Sequence, residues 1–472
     1  MSTVVPSLTL RSLLRSSANQ VGLEVVPEVT TGLTPSAQAM AIASAAVTTP
    51  VMFVVPTDNE VEVMTSDTRF FYAAIGDLSD VELSRAVMPF PSLEVDPYRA
   101  ITPHLDVASA RAKVLSSLAQ GSIRIVIASA AALLPRGASP QRILQATRDI
   151  VLGDTLAPND LGALLADAGF VPEDPVDEHG EFCLRGGVVD FFPAGEVYPI
   201  RVEFLDDLVE SLRQFDPGTQ RSVKMVDQVA VVPLRENFES VSEDLNEGWS
   251  GGLDSTLLDF ITEPTSIRTF VSQFEECERQ AAILADRVNE SYVSATSRGE
   301  NPPEPPAIML SWTEIKAYLE EGSRFETLGL DGDRSGFQQA IACQPTRMFH
   351  GRFGEWVKTL QRDRVSGETQ LVVTATPGRA ERVTEMLREY EVPAVLLENA
   401  QEAEGETLLV VTGELSHGFR LSDGGLQIYA ESDLFDEERR IRGRRKSASS
   451  SFLSDLRDLK TCLLYTSDAA DE

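Results

Sequence analysis

EFCLRGGVVDFFPAGEVYPIRVEFLDDLVESLRQFDPGTQRSV, residues 181–223, decides the reading of the whole chain. A short apolar run, Phe182 to Leu184, meets Arg185 and the pair Gly186-Gly187, where glycine permits a bulge or the close approach of another backbone. A second run, Val188 to Phe192, ends at the turn signal Pro193-Ala194-Gly195. Ile200 to Leu205 then alternates. Successive side chains of an extended chain point to opposite faces, so Ile200, Val202 and Phe204 share a core face while Arg201, Glu203 and Leu205 share the other. Asp206-Asp207 starts a turn, Leu208 to Phe215 gives a further strand, and Asp216-Pro217-Gly218 closes the unit. Periodicity alone describes a small antiparallel sheet with ordinary charges on its wet side.

The order and density of these residues carry more. RGGVVDFFPAG followed by PIRVEFLDDLVESLRQFDPGTQRS resembles the second domain of UvrB and of the transcription-repair coupling factors. In that family this domain docks onto the repair protein UvrA. The resemblance places the docking residues at Arg185 and Arg201, with Leu205 where the family has an aromatic; leucine keeps an apolar contact and lacks the ring. Two guanidinium groups beside an apolar anchor suit a protein interface, because arginine forks pair with carboxylates.

Length and composition bound the remainder. A chain of 472 residues holds three or four domains at roughly 100–200 residues each. With 42% hydrophobic residues it can fill their cores. The formal net charge of -32 repels phosphate backbones and argues against tight DNA binding by the chain as a whole. Cys183, Cys277, Cys343 and Cys462 lie far apart, with no C-x-x-C pair, and His104, His179, His350 and His417 are equally scattered. Buried free thiols and no metal site follow. No apolar run approaches the roughly 18 residues of a membrane span, and the N-terminus lacks a signal-peptide core. The expectation is a cytoplasmic protein with no membrane partner.

Upstream, Leu8, Leu10, Leu13 and Leu14 mark a short helix, and Val51 to Val55 a buried strand. Between them, Gly32-Leu33-Thr34-Pro35-Ser36-Ala37-Gln38-Ala39 occupies the place of a phosphate loop, G-x-x-x-x-G-K-[ST]. Ala37 obstructs backbone approach, Gln38 brings no charge to a phosphate, and Ala39 cannot ligate magnesium. Such an octet matches by chance or is a nucleotide site that has decayed. Ahead of a UvrB-like second domain the decayed site is the better reading, and the resemblance implies a working loop here in UvrB but none in the coupling factors. Residues 89–121, PFPSLEVDPYRAITPHLDVASARAKVLSSLAQG, resemble a coupling-factor segment with P-Y and S-P-H-x-D signatures. UvrB carries a tyrosine-rich DNA-clamping hairpin near here, whereas this chain has only Tyr98, so single-strand gripping by stacked aromatics is not expected. Asp177-Glu178-His179-Gly180 imitates a D-E-x-H helicase box. The proline-broken acidic run before it is no buried strand, which makes it a loop.

Downstream, Asn237 to Gly252 reads as an acidic surface loop, and Glu275 to Val288 and Trp312 to Glu321 as helices. Trp312 and Trp356 are core residues by type. Leu371 to Thr374, a helix from Arg379 to Tyr390, and strands at Ala394 to Leu397, Leu408 to Val411 and Leu426 to Ala430 compose an α/β unit resembling the coupling factors' third domain. Arg439 to Lys446 holds six basic residues in eight before a serine-rich run, a solvated linker. Phe452 to Lys460 resembles the lead-in to a polymerase-interacting domain, and Thr461 to Glu472 departs from that pattern as a truncated or mis-joined reading frame would.

The expected fold is multidomain α/β. A degenerate helicase-type domain (1–150, completed by 236–342) carries an inserted UvrB-type α+β domain (151–235). A smaller α/β domain (343–435), a basic linker (436–460) and a non-native tail (461–472) follow. The resemblance implies UvrA as the partner of this part. It assigns RNA polymerase and double-stranded DNA, together with ATP and magnesium, to motor regions outside it. Neither ATPase activity nor a catalytic residue nor a cofactor is expected here. An active UvrB-type helicase subunit and a free-standing UvrA-binding module are the alternatives.

Overall fold

The computed structural model describes residues 9–435 apart from 24–25, 77, 100–102, 195, 237–252, 254, 262–266, 327–337, 365–367 and 398–407. The acidic stretch 237–252, Gly195, the basic linker and the tail therefore lie outside the described residues. The described chain is multidomain α/β, with three principal sheets.

The first sheet is wholly parallel. Its seven strands run in the order Gln338–Ala340, Val29–Thr31, Ser323–Glu326, Arg268–Ser272, Val51–Val55, Ile125–Ser129 and Val87–Phe90. Val51–Val55 is buried at every position, because helices cover both faces of a parallel sheet. Its alternation is divided between two cores. Val51, Phe53 and Val55 join the helices Leu10–Gln20, Pro35–Ala45 and Asp58–Gly76, whereas Met52 and Val54 join Leu105–Ala119, Phe274–Ser297 and Trp312–Glu320. The helix from Phe274 runs to Ser297, nine residues beyond the Val288 read from sequence, and Trp312 packs only part-buried against Phe274.

The chain leaves this sheet through Arg148–Val151 and returns through Gln228–Val231, which pair antiparallel as a two-stranded stem. Between them lies a six-stranded sheet ordered Ser222–Met225, Leu208–Phe215, Ile200–Leu205, Val188–Phe191, Glu181–Arg185 and Val171–Pro172, antiparallel except for the last pair. The helix Pro158–Asp167 shares a core with one face, where Leu161 and Leu165 join Phe182, Val189, Val202 and Leu212. Just past the stem, Glu236 meets the buried Arg111 in a two-pronged ion pair. The Arg111 guanidinium lies 4.0 Å above the Phe90 ring and donates to the Pro91 carbonyl at 2.7 Å. This pair ties the exit of the inserted unit to the first sheet.

The third sheet runs Cys343–Pro345, Phe419–Leu421, Leu426–Ala430, Thr369–Thr374, Leu408–Thr412 and Ala394–Leu396. Trp356, fully buried, centres the core on one face together with Leu360, Val372, Val383 and Tyr429. The opposite face, with Leu371, Val373, Val411 and Ile428, merges into the first core described above. A polar joint accompanies this contact. The buried Asp67, on Asp58–Gly76, accepts from the Ser416 N–H (2.7 Å), the Ser416 hydroxyl (2.6 Å) and the Ser36 hydroxyl (2.8 Å).

Candidate docking site

Turn chemistry places the site. Gly186 is left-handed (φ +61°), which lets Arg185 end one strand and Val188 begin the next after two residues. The Gly187 carbonyl accepts from the Phe204 N–H at 2.8 Å, and a Cβ at Gly187 would come within 3.2 Å of the Phe204 carbonyl oxygen. Asp206, also left-handed (φ +56°), makes a second two-residue turn that sets Leu205 opposite Leu208. Cross-strand pairing of Cys183 with Asp190, Asp190 with Arg201, and Arg201 with Arg213 lines these side chains along one face. It is the face opposite the helix, because Val189, Val202 and Leu212 fill the core on the other side.

Asp190 is the hub of that face. Its carboxylate is 1% exposed and accepts from Arg201 twice, Nε to Oδ1 and Nη2 to Oδ2, each at 2.7 Å. Arg185 donates Nη2 to the same Oδ2 at 3.1 Å. Arg201 further reaches the Gln220 side-chain oxygen at 3.3 Å, and its guanidinium lies 4.5 Å over the buried Phe215 ring. The bonds to Asp190 hold the Arg201 proton more tightly than usual. Phe215 belongs to a small second core with Val176, Cys183 and Phe192, and burial there pushes the Cys183 thiol up. Arg185 is about half exposed (47%) and meets the exposed Asp174 at 3.5 Å. Glu203 pairs with Arg213 beside them. Leu205 stands 59% exposed at the hairpin tip, with Leu208 also exposed.

Arg185, Arg201 and Leu205 are thus brought to one face, the arginines bridged by a residue that sequence reasoning passed over. Asp190 was legible in principle as the single acid in the apolar run Val188 to Phe192, on the parity that faces Arg201 once register is known. The face can offer fixed guanidinium N–H groups and an apolar tip to a partner surface bearing carboxylates.

Gly32, Ala37, Gln38 and Ala39 form no such face. The helix starts at Pro35, so Ala37 and Ala39 are already inside it and fully buried in the core. Gln38 donates to the Leu33 carbonyl (3.3 Å) and accepts from the Ser272 hydroxyl (2.9 Å). Gly32 is left-handed (φ +85°), and a Cβ there would strike the Ile341 carbonyl at 2.4 Å. Packing accounts for this glycine without a ligand. Residues 177–180 lie in a loop, as their proline-broken context implies, with the His179 ring 4.0 Å from that of Phe192, tilted 32° to it, and hydrogen-bonded to the Glu196 carbonyl. Among the described residues no group of His, Cys, Asp and Glu could hold a metal ion, and no helix is long and apolar enough to cross a membrane.

Comparison with known proteins places two domains on this chain. Residues 149–237 match the UvrB interaction domain, and residues 365–434 match the MFD, D3 domain. The chain is similar to the transcription-repair-coupling factor of Haemophilus influenzae, 24% identical over 84% of this chain and 38% of the relative. Likeness to that of Myxococcus xanthus is 24% over 87% of this chain and 39% of the relative. The Bacillus subtilis factor is 21% identical over 79% of this chain and 36% of its own length. The chain therefore spans a little under two fifths of the length of these curated relatives.

Proposed function

We propose that this chain, which by its UvrB interaction and D3 domains is a transcription-repair-coupling-factor region, recruits UvrA through the outer face of its inserted sheet. Its setting is DNA repair coupled to transcription. Arg185 and Arg201 supply the charged contact and Leu205 the apolar one. The observation that carries this reading is the cluster itself: two arginines held by one buried carboxylate beside an exposed leucine, on a face that no helix covers among the described residues. Arginine forks fixed before binding lose little rotamer entropy on docking.

The octet at Gly32 to Ala39 takes no nucleotide on this reading, since Gln38 is spent on internal hydrogen bonds and Ala37 and Ala39 on packing. Displacement of a stalled RNA polymerase, translocation on double-stranded DNA, and the ATP and magnesium these need are proposed for parts of the longer relatives outside this chain. A cytoplasmic setting goes with that role. Titration of the whole chain into purified UvrA tests the proposal. Leu205→Asp should weaken binding at least about tenfold, as losing an interface anchor does, and Leu205→Phe should strengthen it. Binding indifferent to both would place the interface elsewhere.

A further inference from the structure

We infer that Asp190 is the positioning residue of this docking face: it fixes the Arg185 and Arg201 guanidiniums in the pose that meets the partner. The inference rests on the docking reading above. Asp190 touches no partner itself, being almost wholly buried.

Consider what each arginine has left. Asp190 engages the Nε–Nη2 edge of Arg201, and Gln220 shares Nη2. Phe215 lies under the guanidinium plane. Among the described residues the Arg201 Nη1 group makes no hydrogen bond. Arg185 gives only Nη2 to Asp190, and its Nη1 faces the exposed Asp174 at 3.5 Å, a loose contact at the surface. One buried negative charge thus binds two positive ones and leaves the pair with a net positive charge and open N–H groups. Without it, the two guanidiniums would repel each other and regain the rotamers of long surface side chains. A carboxylate that merely stabilised the sheet would need one partner. Here the second arginine is bound as well, from the last residue of the neighbouring strand Glu181–Arg185.

The test uses the whole chain, purified UvrA as the probe, and a readout of the arginine itself. In wild type the Arg201 Nε–H should give a distinct, slowly exchanging NMR signal, assigned by its loss in Arg201→Lys. Asp190→Asn should abolish that protection and weaken UvrA binding at least about tenfold, the size of a coupled interface loss. In an Arg201→Gln background the same Asn change should cost clearly less than about tenfold further, because only Arg185 is left for Asp190 to hold and coupled residues are not additive. Arg201→Lys, which leaves Asp190 paired but has no fork, should lose about tenfold even if Asp190→Asn folds poorly. Wild-type affinity in Asp190→Asn or in Arg201→Lys would overturn the inference, as would full additivity with Arg201→Gln. Failure of wild type to bind UvrA with the Nε–H signal intact would overturn the docking reading. Absence of that signal in wild type would overturn the positioning role.

Discussion

Replacing Asp67 probes the joint that fuses the third sheet to the first. The carboxylate has no exposure, and it accepts the Ser416 N–H on one oxygen and the Ser36 and Ser416 hydroxyls on the other. Asp67→Ala removes all three bonds and also the burden of a buried charge, so the gross terms largely cancel. The two hydroxyls, 3.2 Å apart, can still satisfy each other. The Ser416 N–H loses its acceptor, and a buried unpaired donor costs about 1–3 kcal/mol, which is the net destabilisation expected. Asp67→Asn keeps an oxygen for that N–H and carries no charge.

The pH dependence follows from burial, which raises the Asp67 pKa against the lowering effect of its Ser416 and Ser36 hydrogen bonds and of nearby His417. The folded chain then holds this proton more tightly than the unfolded one. Its contribution is full below the ordinary value of 3.8 and is lost as pH rises through the elevated folded value. Urea unfolding at several pH values should show wild type falling relative to Asp67→Asn as pH increases, with the Asn variant at least as stable at neutrality. An Asn deficit that grows with pH would refute this account, and so would an Ala variant as stable as wild type.

Three further outcomes are expected. Restoring the phosphate-loop residues with Ala37→Gly, Gln38→Lys and Ala39→Thr should give no nucleotide binding by calorimetry and should lower the melting temperature, because the lysine would enter a buried site beside Ser272. Glu236→Ala strands the buried Arg111 charge and should cost about 3 kcal/mol in denaturant unfolding. Asp174→Asn, which frees Arg185 from the exposed acid it meets, should tighten UvrA binding and mainly raise the association rate.

Much of this was legible along the chain. Period-two patterning located the strands Ile200–Leu205 and Leu208–Phe215 to the residue, the fully apolar run Val51–Val55 read as a buried strand, and Leu426–Ala430 read as a strand. Other elements were hidden for physical reasons. Asp58–Gly76 buries Asp67 and Thr68 among its apolar residues, so its periodicity is blurred by the polar joint it serves. Cys343–Pro345, at the sheet edge, and its neighbour Phe419–Leu421 are three-residue strands defined by long-range pairing rather than by local pattern. The docking face was half legible: local sequence points Arg201 and Leu205 outward, but only register brings Asp190 between the arginines. The octet was legible in its missing groups and the alanine-rich run after it as helical, whereas the tie of Ser36 to Asp67 depends on a contact far along the chain.

The most direct test of the central claim is the affinity of the whole chain for UvrA beside an Arg185→Ala/Arg201→Gln variant, in which glutamine still offers Asp190 a donor. Loss of two interface arginines predicts a penalty of about 2 kcal/mol or more, roughly thirtyfold in the dissociation constant, measured below the variant's unfolding transition because the buried Asp190 charge loses its partners. Equal affinity of the two proteins would contradict docking through this face.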